Sequence, residues 1–363
     1  VESPAMVAKY IRAVSEDCDQ VPAVLYGQGP VYLSDGTLAL ATLSGVLDTM
    51  GAPISGWRVD LGTLNPAYLR EMHDVDPDPD TDTVRTGIGH LLDLLTISAD
   101  YPDVPAAHLG QLCVSVLAPL DRRFFTVIWL HAKRGTGKTR FEALISAIQS
   151  RTLRDLRNAK PELNLGDVSG TTKGPKYRVP AFGLGTILGD DVFKAVHPAL
   201  TKTQRTEMVD ALVRSREGGA AAIGTIDRAR NLVTSKASGQ LCASLRVTSE
   251  EIPPTKGGME SSTADRMIVQ GGWQVPWSEV FDTEISDRLS EPAALDAMYA
   301  AYSDVTLWVW QNQCETVTLH DEATEITSEW NMGSERVRER YTTAVAGLLL
   351  SLIHISEPTR RYA

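Results

Sequence analysis

The chain has 363 residues, a formal net charge of −11, 43% hydrophobic and 22% charged residues, which excludes wholesale disorder and leaves room for one large core or two modest domains. The acidic balance excludes a protein that coats nucleic acid through a general positive field, though not one with local basic loops. Cys18, Cys113, Cys242 and Cys314 are scattered without a C-x-x-C pair, and the histidines lack H-x-x-x-H spacing, so a zinc knuckle is excluded and the thiols suit a reducing cytoplasm. No run of about 18 apolar residues occurs, so no membrane span is expected.

Residues 1–72 carry short apolar runs broken by turn residues and are expected to form a small β-rich N-terminal domain. "AVLYGQGPVYLSDGTLALATL" alternates around Gly27, Gly29 and Asp35–Gly36, which predicts hairpin-like strands. "HDVDPDPDTDT", His73 to Thr83, follows. Its alternating aspartates and two prolines neither pair into a sheet nor continue a helix. The glycine and bidentate glutamate of a calcium loop are missing. Residues 73–86 are therefore expected to be a solvated acidic linker at a domain boundary.

From Gly87 the pattern becomes helical. "GIGHLLDLLTISA" and "AHLGQLCVSVLAPL" space leucines three and four apart, predicting helices with one buried face. "RFFTVIWLHA" is short, apolar and β-branched or aromatic, predicting a buried strand. A helix over Arg140–Ser150, a strand over Leu184–Leu188, a helix over Lys202–Arg216, and strands over Leu241–Thr248 and Arg266–Gln270 continue the pattern. Strands alternating with helices predict an α/β fold with a parallel sheet covered on both faces, here over 87–272. Residues 273–349, with Trp308, Trp310 and Trp330, read as a helical extension whose tryptophans anchor a core.

Both ends are expected to be artificial. The chain opens on Val1, and "LSLIHISEPTR", Leu350 to Arg360, resembles the in-frame translation of a sequencing adapter. Residues 350–363 are accordingly read as a non-native tail, set aside from fold reasoning.

The chemistry concentrates in "WLHAKRGTGKT", Trp129 to Thr139. In a loop of the type G-x-x-x-x-G-K-[ST], successive backbone N–H groups curl around an anion and the following helix adds its positive end. Gly135 and Gly137 let the chain approach phosphates without a Cβ in the way, and Arg134 and Thr136 complete the turn. Lys138 is expected on the β- and γ-phosphates of a nucleotide and Thr139 on Mg²⁺. Ala132 stands where the pattern wants its first glycine, a position that shapes the entry to the turn and tolerates a small side chain.

Such a loop needs an acidic strand end as partner. "LGTILGDDV" supplies one, with Asp190 falling 52 positions after Lys138. Asp190 and Asp191 follow the strand at its carboxyl end, where α/β sheets place ligands. Asp190 is the candidate metal ligand and Asp191 the candidate general base. The strand "LCASLRVTSEE" ends in Thr248, Ser249 and Glu250; Thr248 either orients an attacking water or satisfies turn amides. Arg266, before the last strand, is placed to offset charge on a transferring phosphoryl group, in its own subunit or in a neighbour's. Arg214, Arg216, Arg228 and Arg230 flank a small-residue loop that suits either DNA backbone contact or a solvated helix end, and "GTTKGPKYR" (Gly170–Arg178) is a second basic loop, with an aromatic at Tyr177.

The order of these pieces resembles the ATPase module of phage and plasmid primase–helicase proteins. The resemblance spans about residues 24–272 and rests on "YGQGPVYLSDG", "VIWLHAKRGTGKT", "SGTT" before "TILGDD", "ALVRSREGG", "RVTSEEIP" and "SSTADRMIV". It departs at Ala132 and at Asp191, where such ATPases more often carry glutamate. The resemblance implies a P-loop NTPase core of the superfamily-3-like or AAA+ kind, using ATP and Mg²⁺. It further implies a homo-oligomeric ring on single-stranded DNA during mobile-element replication, with a primase domain or partner, in the cytoplasm of a bacterial or phage-infected cell. Two other readings of the same loop remain open: a P-loop small-molecule kinase, and a nucleotide-binding assembly or regulatory module with little turnover.

Overall fold

The computed structural model describes residues 23–25, 28–59, 74–150, 186–189, 226–227, 232–233, 244–250, 265–332 and 334–356. The chain opens with β1 (Ala23–Leu25), β2 (Gly29–Tyr32), β3 (Leu38–Thr42), β4 (Gly45–Leu47) and β5 (Trp57–Val59). β2, β3 and β4 form an antiparallel sheet, and β1 pairs with β5 in parallel. The β2–β3 turn is built at the Asp35–Gly36 pair that the sequence marks: the Asp35 carboxylate accepts from the Thr37 N–H at 2.9 Å, and Gly36 N–H donates to the Leu33 carbonyl.

Two helices follow, α1 (Thr81–Leu95) and α2 (Asp103–Val114). α1 begins inside the stretch expected to be a solvated linker, which corrects that expectation. Asp80 caps it by accepting from Thr83 N–H, and Asp82 sits in the first turn, where a carboxylate complements the helix dipole. Val75, between the aspartates, is fully buried, and the backbone around it is tied to the Gln149 carbonyl and the Ser303 hydroxyl. The repeated aspartates thus serve as turn and cap residues on a docked segment.

After a short 3₁₀ turn come β6 (Val127–His131) and α3 (Lys138–Ile148), then β7 (Thr186–Gly189), β8 (Ile226–Asp227), β9 (Leu232–Val233), β10 (Ser244–Ser249) and β11 (Ile268–Gly271). Four of these make one all-parallel sheet in the order β11–β6–β10–β7. A strand from late in the chain, β10, therefore lies between β6 and β7. The register pairs His131 with both Ser249 and Gly271, so the chain leaves β6, β10 and β11 at one common edge. β6, the three predicted strands after it and α3 all form; the helix expected over Lys202–Arg216 lies outside the described residues.

The C-terminal part contains α4 (Trp277–Val280), α5 (Thr283–Leu289), α6 (Pro292–Gln311), α7 (Gln313–Ser328) and α8 (Glu335–Ser356). It does not stand apart as an extension. α6 packs along α1, α8 packs along α2, and one continuous core runs from Leu40 through Phe141 to Trp310 and Leu350. The Trp310 indole N–H also donates to the Asp48 carbonyl, joining α6 to the N-terminal strands. Trp310 is the core anchor expected of it, whereas Trp330 is 39% exposed. α8 crosses the expected break at 350 without interruption, and Leu350 is wholly buried. Cys113 is a buried hydrophobe whose thiol burial pushes up to about 12. Among the described residues, no helix is long and apolar enough to cross a membrane.

Candidate functional site

β6 delivers the chain to the shared sheet edge, and there the glycine-rich loop forms. Ala132 still belongs to the sheet: its N–H donates to the Ser249 carbonyl at 3.2 Å, and its methyl is buried. A glycine is not required where the backbone simply extends a ladder. The turn itself falls at Gly135 (φ 80°) and Gly137 (φ 87°), both in the left-handed region. A Cβ on Gly135 would meet open space, whereas one on Gly137 would lie 2.0 Å from Cε3 of Trp277. Lys133, Arg134 and Gly135 form an exposed crest, and Thr136 turns inward to donate its hydroxyl to the Lys133 carbonyl.

α3 starts directly after Gly137 with no side-chain cap and no acidic residue in its first turn. Lys138 is instead the first helical residue, a cation at the positive end of the dipole. Its ammonium is nearly buried and turns back into the loop, donating to the carbonyls of Ala132 at 2.6 Å and Lys133 at 3.1 Å. An uncapped helix start, a glycine-shaped turn and an ammonium inside it form an electropositive concavity suited to a polyphosphate. Thr139 and Arg140 lie exposed at its rim. His131, just before the loop, has its pKa held below the ordinary histidine value by burial and then by the Lys138 charge.

Neighbouring strand tips frame this concavity. Thr248 pairs with Leu130 and Ser249 with His131. Alternation puts Thr248 on the sheet face that carries α3. Ser249 points to the other face, where its hydroxyl accepts from the Trp129 indole at 2.7 Å. Of the two, Thr248 is the one on the side of Lys138. From β11, Gly272 N–H donates to the His131 carbonyl, the Trp273 carbonyl accepts from Lys133 N–H, and the Trp273 indole donates to Thr136. Trp277 stacks on Phe281 with ring centroids 4.1 Å apart, and the Arg140 guanidinium lies over the Trp277 ring, 5.2 Å from its centroid.

Asp190 and Asp191 lie outside the described residues, as do Arg214, Arg216, Arg228, Arg230 and Gly170–Arg178. β7, which leads to the two aspartates, is two strands from β6 and ends at the loop's edge, with Gly189 beside Val247. Arg266 is not at that edge. It precedes β11 at the amino end, about five residues or roughly 16 Å along the strand direction from His131. This placement separates the Arg266 backbone from its own subunit's loop. Among the described residues, no group of three or more His, Cys, Asp or Glu is arranged to hold a metal ion.

Beneath the loop lies a polar cluster that the sequence reading missed. Glu142, one turn along α3 from Lys138, is fully buried and paired with the equally buried Arg246 of β10. Its second oxygen lies 2.9 Å from Nε2 of buried His108 on α2, whose Nδ1 faces the Val104 carbonyl. Arg246 also donates from Nη2 to Ser146 at 2.9 Å and from Nε to Thr186 of β7 at 2.8 Å. Burial pushes the Glu142 pKa up, but the charges of Arg246 and His108 and the bonds they donate outweigh it and hold the carboxyl below its ordinary value. A charge inside the apolar strand "SLRVTS" was the available signal, since such a charge requires a buried partner. Nothing local names that partner, 104 positions away.

Neither a protein-family model nor a curated protein sequence matches the chain. A solved structure described as "SCCmec type IV Cch - active helicase" is similar, with a TM-score of 0.57 and 14% sequence identity over 96% of this chain. The likeness covers 60% of that solved chain. It shows a shared mixed α/β fold.

Proposed function

We propose that this chain is the ATPase module of a ring-forming, DNA-translocating helicase of a phage or other mobile element, with a P-loop core of the AAA+ or superfamily-3-like kind. One observation carries the reading: Lys138 closes an uncapped, glycine-shaped loop at the edge where β10 and β7 also end. The inserted β10 places a polar strand tip next to the loop, an order suited to hydrolysis of bound nucleotide. The fold shared with a solved helicase supports the same reading.

In this reading the amides of Arg134, Gly135, Thr136 and Gly137 take the phosphates, and Lys138 moves from the Ala132 and Lys133 carbonyls onto the β- and γ-oxygens. Thr139 and Asp190 would hold magnesium, which supplies charge neutralisation on the phosphate oxygens when bound. Asp191 accepts the proton of the attacking water while the water oxygen bonds to the γ-phosphorus and the bond to the β–γ bridging oxygen breaks, releasing ADP and phosphate. Thr248 orients that water. Arg266 of a neighbouring subunit offsets the charge on the γ-phosphoryl group, which makes a ring of identical subunits part of the proposal. Single-stranded DNA is taken by the basic loops around Arg214–Arg230 and Gly170–Arg178, with a primase domain or partner acting alongside.

ATP turnover measured with and without single-stranded DNA tests this. The reading expects turnover that requires magnesium and rises with DNA. Turnover indifferent to DNA would remove the helicase part and leave the nucleotide site.

A further inference from the structure

We propose that Arg246 is a positioning residue for phosphate chemistry. Its guanidinium fixes the register of β7, the strand that precedes the acidic pair in sequence, against the helix of the phosphate loop. The proposal rests on the nucleotide-site reading above and adds a residue to it.

The geometry is that of a three-way clamp. Arg246 belongs to β10 and sits two residues before Thr248 on the same sheet face. Nη1 bonds the Glu142 carboxylate and Nη2 bonds the Ser146 hydroxyl, so one end of the fork grips α3. Nε donates to the Thr186 hydroxyl, so the other grips β7. A second tie parallels it: the Gln149 side-chain oxygen, at the end of α3, accepts from Thr186 N–H at 2.6 Å. His108 braces Glu142 from behind. Thr186 precedes Asp190 by four positions.

Stability does not account for the clamp. A buried ion pair roughly breaks even against a well-packed apolar pair of the same volume, because desolvation offsets the attraction. What apolar packing lacks is direction along a strand. Among the described residues β7 pairs in the four-stranded sheet with β10 alone, and a one-residue slip of that ladder would carry 186–189 about 3.3 Å along and reverse which residues share a face. A metal-dependent site does not survive such a displacement. A planar fork with donors at fixed angles forbids it, and an ammonium on a flexible stem does not.

The test uses Arg246→Lys, which keeps charge balance with Glu142 but loses the fork, alongside Thr186→Val, which removes the bonds of the Thr186 hydroxyl to Arg246 and Gln149 and keeps the N–H tie to Gln149. The proposal expects both variants to keep a cooperative melt and to bind a fluorescent ATP analogue within about threefold of wild type, while kcat falls about tenfold or more. The magnesium concentration for half-maximal turnover rises. Amide hydrogen exchange speeds at 186–189 while 127–131 stays protected, and the double variant is no worse than the single ones, as for residues acting as a unit. A lower melting temperature with wild-type kcat in the folded fraction, or exchange that rises evenly over the sheet, would overturn the proposal and leave the nucleotide site standing. Absence of nucleotide binding and turnover in the wild-type protein would remove the site reading, and this proposal with it.

Discussion

The Lys138 ammonium rests 2.6 Å from the carbonyl oxygen of Ala132, the residue that replaces the first glycine of the loop pattern. The substitution therefore leaves the loop's electrostatics in place. Ala132 contributes its carbonyl, which any residue has, and its N–H continues the ladder to Ser249. Ala132→Gly is expected to leave nucleotide affinity within about twofold and to cost roughly 0.5–1 kcal/mol in chain entropy. Gly137→Ala is expected to cost about 2 kcal/mol or more, since it combines a positive φ with a clash against Trp277, and to abolish nucleotide binding. Gly135→Ala meets only the strain of a positive φ, about 1 kcal/mol. Urea unfolding and nucleotide titration of the three variants check this ranking.

The buried cluster predicts acid sensitivity with a definite sign. The Glu142 pKa is below its ordinary value of 4.5, so the folded state favours the carboxylate. The stability this contributes is complete above 4.5 and is lost as pH falls through the folded-state value. His131 and His320 lie below 6.5, chiefly through burial, so folding also weakens as pH drops under 6.5 and the unfolded chain takes up protons. Denaturant midpoints measured from pH 8 down to 3.5 should fall in two stages, and Glu142→Gln should shrink the lower one, to which Asp35, Asp80 and Asp121, also held below the ordinary carboxylate value, contribute the remainder. Glu142→Ala, which leaves Arg246 buried without its carboxylate, is expected to cost about 3–5 kcal/mol.

The crossing of α2 and α8 gives a packing prediction. A Cβ on Gly110 would lie 2.0 Å from the Ala344 carbonyl oxygen, and one on Gly347 would lie 1.9 Å from that of Gly110. Either alanine substitution must pry the helices apart, at a cost of about 1–3 kcal/mol. Gly89, in the middle of α1, has nothing within 4 Å of its Cβ position, and Gly89→Ala should stabilise by about 1 kcal/mol. Melting temperatures that move in opposite directions would support both placements.

Arg266 supplies a prediction about assembly. Because it stands at the amino edge of the sheet, the proposed function has it act on a nucleotide across a subunit boundary. Arg266→Ala and Asp191→Asn should each lose turnover. Mixed in equal amounts they should regain roughly a quarter of the wild-type rate, the share of interfaces that pair an intact aspartate with an intact arginine in a ring of identical subunits. No recovery would remove the shared-site role of Arg266.

Much of the sheet could be read from the sequence because its determinants are local. "RFFTVIWLHA" is apolar and β-branched or aromatic, "RGTGKT" has its glycines where the backbone needs positive φ, and Asp35–Gly36 specifies a turn. The misreadings occur where a distant partner decides. Val75 reads as part of a solvated aspartate run until α6 supplies Ser303 to tie its neighbour. Trp273 and Trp277 fall in a stretch that reads as a helical extension, and they pack against the loop and the first turn of α3. The pairing of Glu142 with Arg246 joins segments that only the fold brings together, so its chemistry was visible in each residue and its identity in neither.

The most direct measurement of the central claim is calorimetric titration of the protein with magnesium and ATP, in wild type and Lys138→Ala, with melting curves to verify that both are folded. The account predicts one saturable site per chain in the wild type and none in a folded Lys138→Ala. Equal binding by both proteins, or no binding by either, would contradict it.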